Sequence, residues 1–300
     1  MERHTTDEER FQLAAQTARR IVRQCRAHVR TSTSKLSDRL NTAASSTPAA
    51  IDIGAAAQGR HPLALKQRIQ HVESTSNSLL SHLSGLSVLL ESETFLALPA
   101  ISIARSIAEV AASCAWMLDA GIDADERAAR GYASLFRSLD STEHLTDPAQ
   151  ERFGEVRDKL IAELLKAGVR VDRRKDRHGV EQNQVAAINV GRAHAKPGFR
   201  YSQRVAEEIP MIANTYAGMS ALVHGEQSAV AMSWDSPDTV ARLVGTVVLR
   251  SVEAWSRAVH HWVGVSQGPF VNELDVRNII RSMPPSLLDE FGPKADRDRE

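Results

Sequence analysis

The most constraining feature of this chain is a nearly uncharged stretch of 24 residues, from Phe95 to Leu118. Its two charges, Arg105 and Glu109, would lie four positions apart on a helix, one turn above the other. A spacing of 3.6 residues sorts the other side chains into an aliphatic face and a face of small residues. Two packing faces predict a central helix that neighbouring helices cover on most sides.

The two charges on this helix have two interpretations, a narrow strip of solvent or a polar site inside a bundle. The order Arg then Glu opposes the helix dipole, and burying an ion pair costs desolvation energy that offsets most of the attraction. Helix stability therefore explains the pair poorly. A membrane span is not expected, because each charge at mid-bilayer would cost about 2.5–3.5 kcal/mol.

Composition sets only broad limits on function. The chain has 300 residues, a hydrophobic content of 42%, which suffices for a sizeable core, and a formal net charge of zero. That charge implies no overall attraction to nucleic acid or to a membrane. Cys25 and Cys114 show neither metal nor redox spacing, and the first ten residues contain no apolar signal core. We therefore expect a cytoplasmic protein with no metal and no cofactor.

Helical periodicity, caps and breakers along the chain predict an all-α protein, a helical bundle with long central helices. No strand is predicted. An Ala/Ser/Thr-rich stretch with Pro and Gly is typical of a linker. The predicted organisation is an N-terminal helix over 1–40, a linker over 41–61, a helical bundle domain over 62–285 with a basic loop at 170–200, and a loose tail over 286–300.

A long helix over about 62–92 is predicted to carry an apolar seam. Eight positions alternate spacings of four and three residues, and seven of them are apolar, as in a coiled coil. Such a seam packs either on the central helix or on its copy in a second subunit. We expect a homo-oligomer that forms through the 65–90 seam. The seam positions are Leu65, Ile69, Val72, Ser76, Leu79, Leu83, Leu86 and Leu90.

Residues 170–200 differ from the rest of the chain. They hold eight basic and three acidic side chains, a balance of +5, and lack helical periodicity. The segment is predicted to be a long loop, which is either disordered or solvated, or else contacts nucleic acid or phosphate. In the second case Arg173, Arg174 and Arg192 would bind the anion.

A second polar line is predicted on a later helix, where Tyr216, Ser220 and His224 recur every four residues. Together with Arg105 and Glu109, these groups could hold a phosphate or move a proton. We predict that Arg105, Glu109 and His224 are the catalytic candidates and share one pocket. Tyr216 and Ser220 would form its binding wall. The alternative for His224 is a helix-end histidine stabilised by the helix dipole.

Two short motifs carry a resemblance to a known family. They are Arg–x3–Glu in ARSIAE and Tyr–x3–Ser–x3–His in YAGMSALVH. In these motifs, residues 62–265 resemble uncharacterised bacterial helical proteins at the edge of the HEPN superfamily. The resemblance implies a helical bundle, often dimeric, in a superfamily that includes RNA-cleaving toxins and defence proteins. HEPN nucleases place an arginine four to six residues before a histidine, and no arginine precedes His224 at that spacing.

Two functions follow from these observations, and the sequence does not decide between an enzyme and a binding protein. The first is a HEPN-like protein that binds or processes RNA or a nucleotide. The second is a non-catalytic interaction or small-ligand-binding protein that dimerises through the 65–90 seam. Convergence of Arg105, Glu109 and His224 in one cleft would favour the first.

Overall fold

The structure, a computed structural model, describes residues 6–92, 96–140, 147–224 and 236–265. It is 75% helix, with ten α-helices. The prediction of a mostly helical protein is confirmed, and the prediction that no strand occurs is wrong. The helices are α1 (Asp7–Ser34), α2 (Leu36–Asn41), α3 (Pro48–Ala57), α4 (Pro62–Glu91), α5 (Ala97–Met117), α6 (Ala124–Asp140), α7 (Asp147–Lys166), α8 (Tyr201–Glu208), α9 (Ala213–Val223) and α10 (Pro237–Val263), and the strands are β1 (Arg170–Lys175), β2 (Glu181–Val190) and β3 (Ala193–Ala195).

Helix α5 lies at the centre of the bundle, as its sequence predicts. It packs against α4 and α10 along its length and against α8 and α9 on another side, while α1 packs on both α4 and α10. The N-terminal helix therefore belongs to the same core as the rest of the bundle. The side chains of Trp255 and Trp262 on α10 fill much of that core. By length and composition α5 could also cross a membrane, a property that buried core helices share.

The apolar seam of α4 is covered within one chain. Six of its eight positions, from Val72 to Leu90, are buried, and the neighbours of α4 are α1, α5, α6 and α3. At one crossing Gly131 of α6 lies so close to α4 that an added Cβ would stand 3.0 Å from the carbonyl oxygen of Ala64. The surface expected to form a dimer is thus used inside the protein, and a homo-oligomer would need another surface.

The predicted linker over 41–61 contains helix α3, so the linker prediction is wrong for residues 48–57. Thr47 caps this helix by accepting a hydrogen bond from the backbone N–H of Ala50, and Pro48 occupies its first turn. Ala49 and Asp52 on its inner side are buried. The small residues of this stretch allow close packing against α4 and α10.

The predicted basic loop at 170–200 is a three-stranded antiparallel sheet in the order β1-β2-β3. Its two turns each contain a glycine with positive φ, Gly179 at 81° and Gly191 at 56°. Apolar side chains such as Val185 and Ile188 are buried, and β2 packs on α6. The loop prediction is therefore wrong. Towards the tip of the β1–β2 hairpin, beyond these buried residues, the basic side chains are exposed.

Some predicted features fall outside the described residues. They are the C-terminal part of the bundle domain after residue 265 and the loose tail over 286–300.

Candidate functional site

Arg105, Glu109 and Tyr216 form one polar cluster between α5 and α9. Arg105 Nε lies 2.9 Å from Glu109 Oε1, and the Tyr216 hydroxyl donates a 2.7 Å hydrogen bond to the same oxygen. The guanidinium carbon of Arg105 is 5.9 Å from the centre of the Tyr216 ring. The two charged side chains are 21% and 18% exposed, so the cluster is neither a solvent strip nor a fully buried site.

The electrostatics of this cluster favour a structural role, in which it holds two helices together. Burial and the hydrogen bond to Glu109 raise the pKa of Tyr216 to about 12, so its hydroxyl stays protonated and donates. Burial lowers the pKa of Arg105, whereas its contacts with Tyr216 and Glu109 raise it. The net shift of this pKa is upward. The charged arginine and the protonated tyrosine hydroxyl both contact Glu109, and these contacts hold α9 against α5.

His224 lies apart from this cluster along α9. It is the C-cap residue, eight positions after Tyr216, which corresponds to about 12 Å along a helix. Its backbone N–H donates to the carbonyl oxygen of Ser220, and its side chain is exposed. In the described part of the chain, no side-chain hydrogen bond joins His224 or Ser220 to Arg105 or Glu109. The catalytic roles assigned to these residues stay predictions.

The double variant Arg105→Met/Glu109→Leu tests whether this cluster is structural. We expect its free energy of unfolding to stay within about 1 kcal/mol of wild type, because the desolvation cost disappears together with the attraction. Arg105→Met alone should destabilise the protein more, since it leaves the Glu109 carboxylate partly buried without its cation. Urea denaturation followed by circular dichroism measures both. A double variant less stable than the single one would contradict the structural role.

The three arginines expected to bind an anion lie on the sheet, away from α5 and α9. Arg173 is paired with Asp158 at 3.4 Å, and Arg174 donates to Gln184 Oε1 at 3.0 Å. Arg192 is exposed in the turn between β2 and β3. Near the tip of the β1–β2 hairpin, Arg174 and Lys175 help to line an open groove of about 700 Å³.

Beside the sheet lies a cluster that sequence spacing does not predict, in which three guanidinium groups lie over three aromatic rings. The rings also contact one another, with centroids 6.1 Å apart for Trp116 and Phe199 and 5.2 Å apart for Phe199 and Tyr201. The side chains come from α5, α6, α8 and the segment between β3 and α8. We call the cluster and the cleft beside it the arginine–aromatic cleft. The members of the cluster are Trp116, Arg130, Arg137, Phe199, Tyr201 and Arg204.

The distances in this stack are those of close cation–π contacts. Arg204 lies 4.1 Å from the Trp116 ring centre and 4.7 Å from that of Phe199. Arg137 lies 3.9 Å from Phe199 and 5.2 Å from Tyr201. Some of the guanidinium N–H groups also donate within the protein, Arg130 Nη1 to the Trp116 carbonyl oxygen at 2.6 Å and Arg137 Nη1 to that of Pro197 at 3.4 Å.

The stack borders a cleft of about 330 Å³ that holds both signs of charge. Arg130 is paired with Glu126 at 2.8 Å and Arg204 with Glu207 at 3.5 Å. Arg137 does not line the cleft itself but contacts Phe199, which does. It forms no ion pair in the described residues and donates a hydrogen bond to the Pro197 carbonyl oxygen at 3.4 Å. A cation whose charge no described carboxylate neutralises directly therefore lies beside the cleft.

Burial perturbs the groups in and beside this cleft. Arg204 is 8% exposed, and its Nε has no hydrogen-bond partner in the described part of the chain. Burial lowers the pKa of Arg204, and its two carboxylate neighbours oppose that shift. Burial also raises the pKa of the adjacent Glu208 to about 6. Perturbed groups around a concave site are typical of binding sites.

Sequence spacing could not reveal this cleft as a whole, because Trp116, Arg137 and Phe199 are far apart along the chain. One signal was present. The segment GFRYSQR, residues 198–204, interleaves aromatic and basic side chains at the end of the segment interpreted as a basic loop. Such interleaving is typical of nucleic-acid-binding surfaces.

Two further polar clusters lie in the core. Asp52 accepts hydrogen bonds or ion pairs from Arg68, Arg127 and Trp262, which joins α3, α4, α6 and α10. Between α1 and α10, the rings of His28 and His260 lie 5.7 Å apart. Among the described residues, no group of three or more His, Cys, Asp and Glu side chains is placed to hold a metal ion.

No family model, curated protein or solved structure matches the chain in the three comparisons.

Proposed function

We propose that this protein binds single-stranded RNA and holds one nucleotide in the arginine–aromatic cleft. The observation that carries the proposal is the packing of three guanidinium groups on three aromatic rings beside an open cleft. Single-stranded bases stack on aromatic side chains and arginine planes, and arginine also binds phosphate in a bidentate manner. One site of this composition therefore serves both parts of a nucleotide.

The basic sheet supports a path for the RNA backbone out of the cleft. The turn between β2 and β3 carries the exposed Arg192, and the chain then reaches His194 and Lys196 at the cleft wall. A positively charged surface beside stacking side chains is the usual arrangement in proteins that bind single strands. The +5 balance of residues 170–200 would supply affinity that does not depend on base sequence.

We favour binding over cleavage within a HEPN-like relationship. The Tyr216–Glu109 hydrogen bond joins the two motifs on which the resemblance depends, which supports that relationship. Cleavage would need an acid–base group beside an anion-binding group, and His224 is exposed at the end of α9. A small-ligand-binding protein is the second candidate, because 330 Å³ lies at the small end of the range for ligand pockets.

Binding of a fluorescein-labelled, mixed-sequence RNA 12-mer, followed by fluorescence anisotropy, tests the proposal. We expect Arg137→Gln to weaken binding at least about tenfold, because it removes a phosphate contact and a stacking plane. Arg257→Gln is the matched control. Arg257 is exposed on α10 and paired with Glu253, and its loss should change affinity less than about twofold.

Two results would count against RNA binding at the cleft. One is an affinity for RNA that Arg137→Gln and Arg257→Gln lower equally, which would indicate general charge attraction. The other is no measurable binding at low salt, where phosphate contacts are strongest. Lys196→Gln, which changes an exposed side chain at the cleft wall, should weaken binding without disturbing the stack. It keeps the test valid if Arg137→Gln alters the fold.

A further inference from the structure

The cleft contains hydrogen-bond acceptors as well as arginine donors. Glu207 lies on α8 one turn after Arg204, and its side chain is 47% exposed. One of its oxygens accepts from Gln203 Nε2 at 2.9 Å, and the other lies 3.5 Å from Arg204 Nη1. A carboxylate accepts about four hydrogen bonds, so Glu207 retains capacity for a ligand. Arg204, beside it, retains an unpartnered buried Nε.

We propose that the cleft selects a guanine base, read by Glu207 and Arg204 together; this specificity rests on the proposed binding of a nucleotide. Guanine presents two adjacent donors, N1–H and the N2 amino group, which match the two oxygens of one carboxylate. It also presents O6 and N7 as acceptors, the pair that arginine recognises most often. The ring of Phe199, which is partly exposed at the cleft, then supplies the stacking surface.

The other three bases fit this pair of side chains less well. Adenine offers the donor N6 amino group beside the acceptor N1, and cytosine offers N4 beside N3. Uracil offers one N3–H between two carbonyl oxygens. Each of these three bases would either place an acceptor against a Glu207 oxygen or donate only one hydrogen bond to the carboxylate, whereas guanine donates two. Unpaired and repelled polar groups at a recognition site disfavour the wrong ligand.

The charges beside the base site suit the phosphate of the same nucleotide. The guanidinium carbon of Arg137 lies 3.9 Å from the centre of the Phe199 ring, and Lys196 is exposed at the cleft wall. Neither forms an ion pair in the described part of the chain. Base selection by Glu207 and phosphate attraction by Arg137 are therefore carried by different residues, and mutations can separate them.

Isothermal titration of the full chain with GMP, AMP, CMP, UMP and IMP tests the proposal. We expect GMP to bind at least about tenfold more tightly than AMP, which corresponds to one bidentate contact. IMP, which lacks the N2 amino group, should lose part of this advantage. Glu207→Gln should bring GMP down to the affinity of AMP and leave AMP unchanged. Glu163→Gln, on the exposed side of α7, is the control and should keep the preference.

The outcomes separate this inference from the proposed function. Equal affinities for GMP and AMP, or a preference that survives Glu207→Gln, would overturn guanine selection and leave nucleotide binding intact. Failure of all five nucleotides to bind, up to millimolar concentration, would overturn both. Guanine selection that disappears in Glu207→Gln, while Arg137→Gln weakens GMP and AMP equally, is the expected result.

Discussion

Asp52→Asn is expected to destabilise the protein by about 3–5 kcal/mol, because it leaves buried arginine charge without a counter-ion. The Asp52 carboxylate lies 3.2 Å from Arg68 Nη2 and 3.1 Å from Arg127 Nε, and all three side chains are 1–2% exposed. Trp262 Nε1 donates to it at 3.1 Å. Burial lowers the pKa of Arg68 to about 10, and Asp52 opposes this shift, so the carboxylate is the group that keeps this arginine charged.

Urea unfolding measured by circular dichroism checks this value. Asp125→Asn is the matched control, because it removes a long-range ion pair at the surface. Asp125 lies 3.1 Å from Arg60, and the side chains of Arg60 and Asp125 are 59% and 35% exposed. Its cost should stay under about 1 kcal/mol. Replacing the ionic network entirely, with Asp52→Leu, Arg68→Met and Arg127→Met, should be less destabilising than Asp52→Asn alone. An Asp52→Asn cost similar to that of the control would contradict the role given to this carboxylate.

The central helix could be predicted from sequence because its information is local. The spacing of apolar residues on α5 determines which sides face its neighbours, and burial follows that spacing. The repeat of polar residues on α9 also predicts Tyr216 beside Arg105 and Glu109, where the structure has it. The position of His224 could not be predicted in the same way. It lies two turns after Tyr216, at the exposed end of α9.

The parts that could not be predicted depend on contacts between distant segments. Helix α3 was hidden by its low-complexity composition, although Thr47 and Pro48 form the usual start signal. The exposed half of the β1–β2 hairpin has polar side chains on both faces, so it shows no alternation of apolar residues. The network around Asp52 joins four helices, and no spacing in the sequence indicates such a meeting.

The pH dependence of stability is expected to show a loss between about pH 6.5 and pH 4, caused by histidines that are neutral in the folded state. Burial, together with the neighbouring His260 ring and the positive charge of Arg39, lowers the pKa of His28 to about 4. Burial, with Arg39 and His261, lowers that of His260 to about 4. The geometry agrees, because Ser256 Oγ lies 2.8 Å from His28 Nε2 and the two rings meet edge to face.

The direction follows from proton binding. In the unfolded chain these histidines titrate near pH 6.5, so between pH 6.5 and 4 the unfolded state binds more protons than the folded state. Stability is therefore complete above pH 6.5 and falls as the pH drops through this window. With a discount for the partial exposure of these rings, each shift is worth roughly 1–2 kcal/mol. The two contributions should not add fully, because part of the His28 shift reflects the His260 ring.

Urea midpoints at pH 7.5, 6.0 and 5.0 measure this effect above the range in which most carboxylates titrate. We expect His260→Gln to reduce the slope of stability against pH, since it removes one titrating ring and relieves His28. Burial also lowers the pKa of His71 to about 4, so some slope should remain. His178→Gln, at the exposed hairpin tip, is the control and should leave the slope unchanged. A His260→Gln curve parallel to wild type would show that the His28–His260 pair does not determine the acid sensitivity.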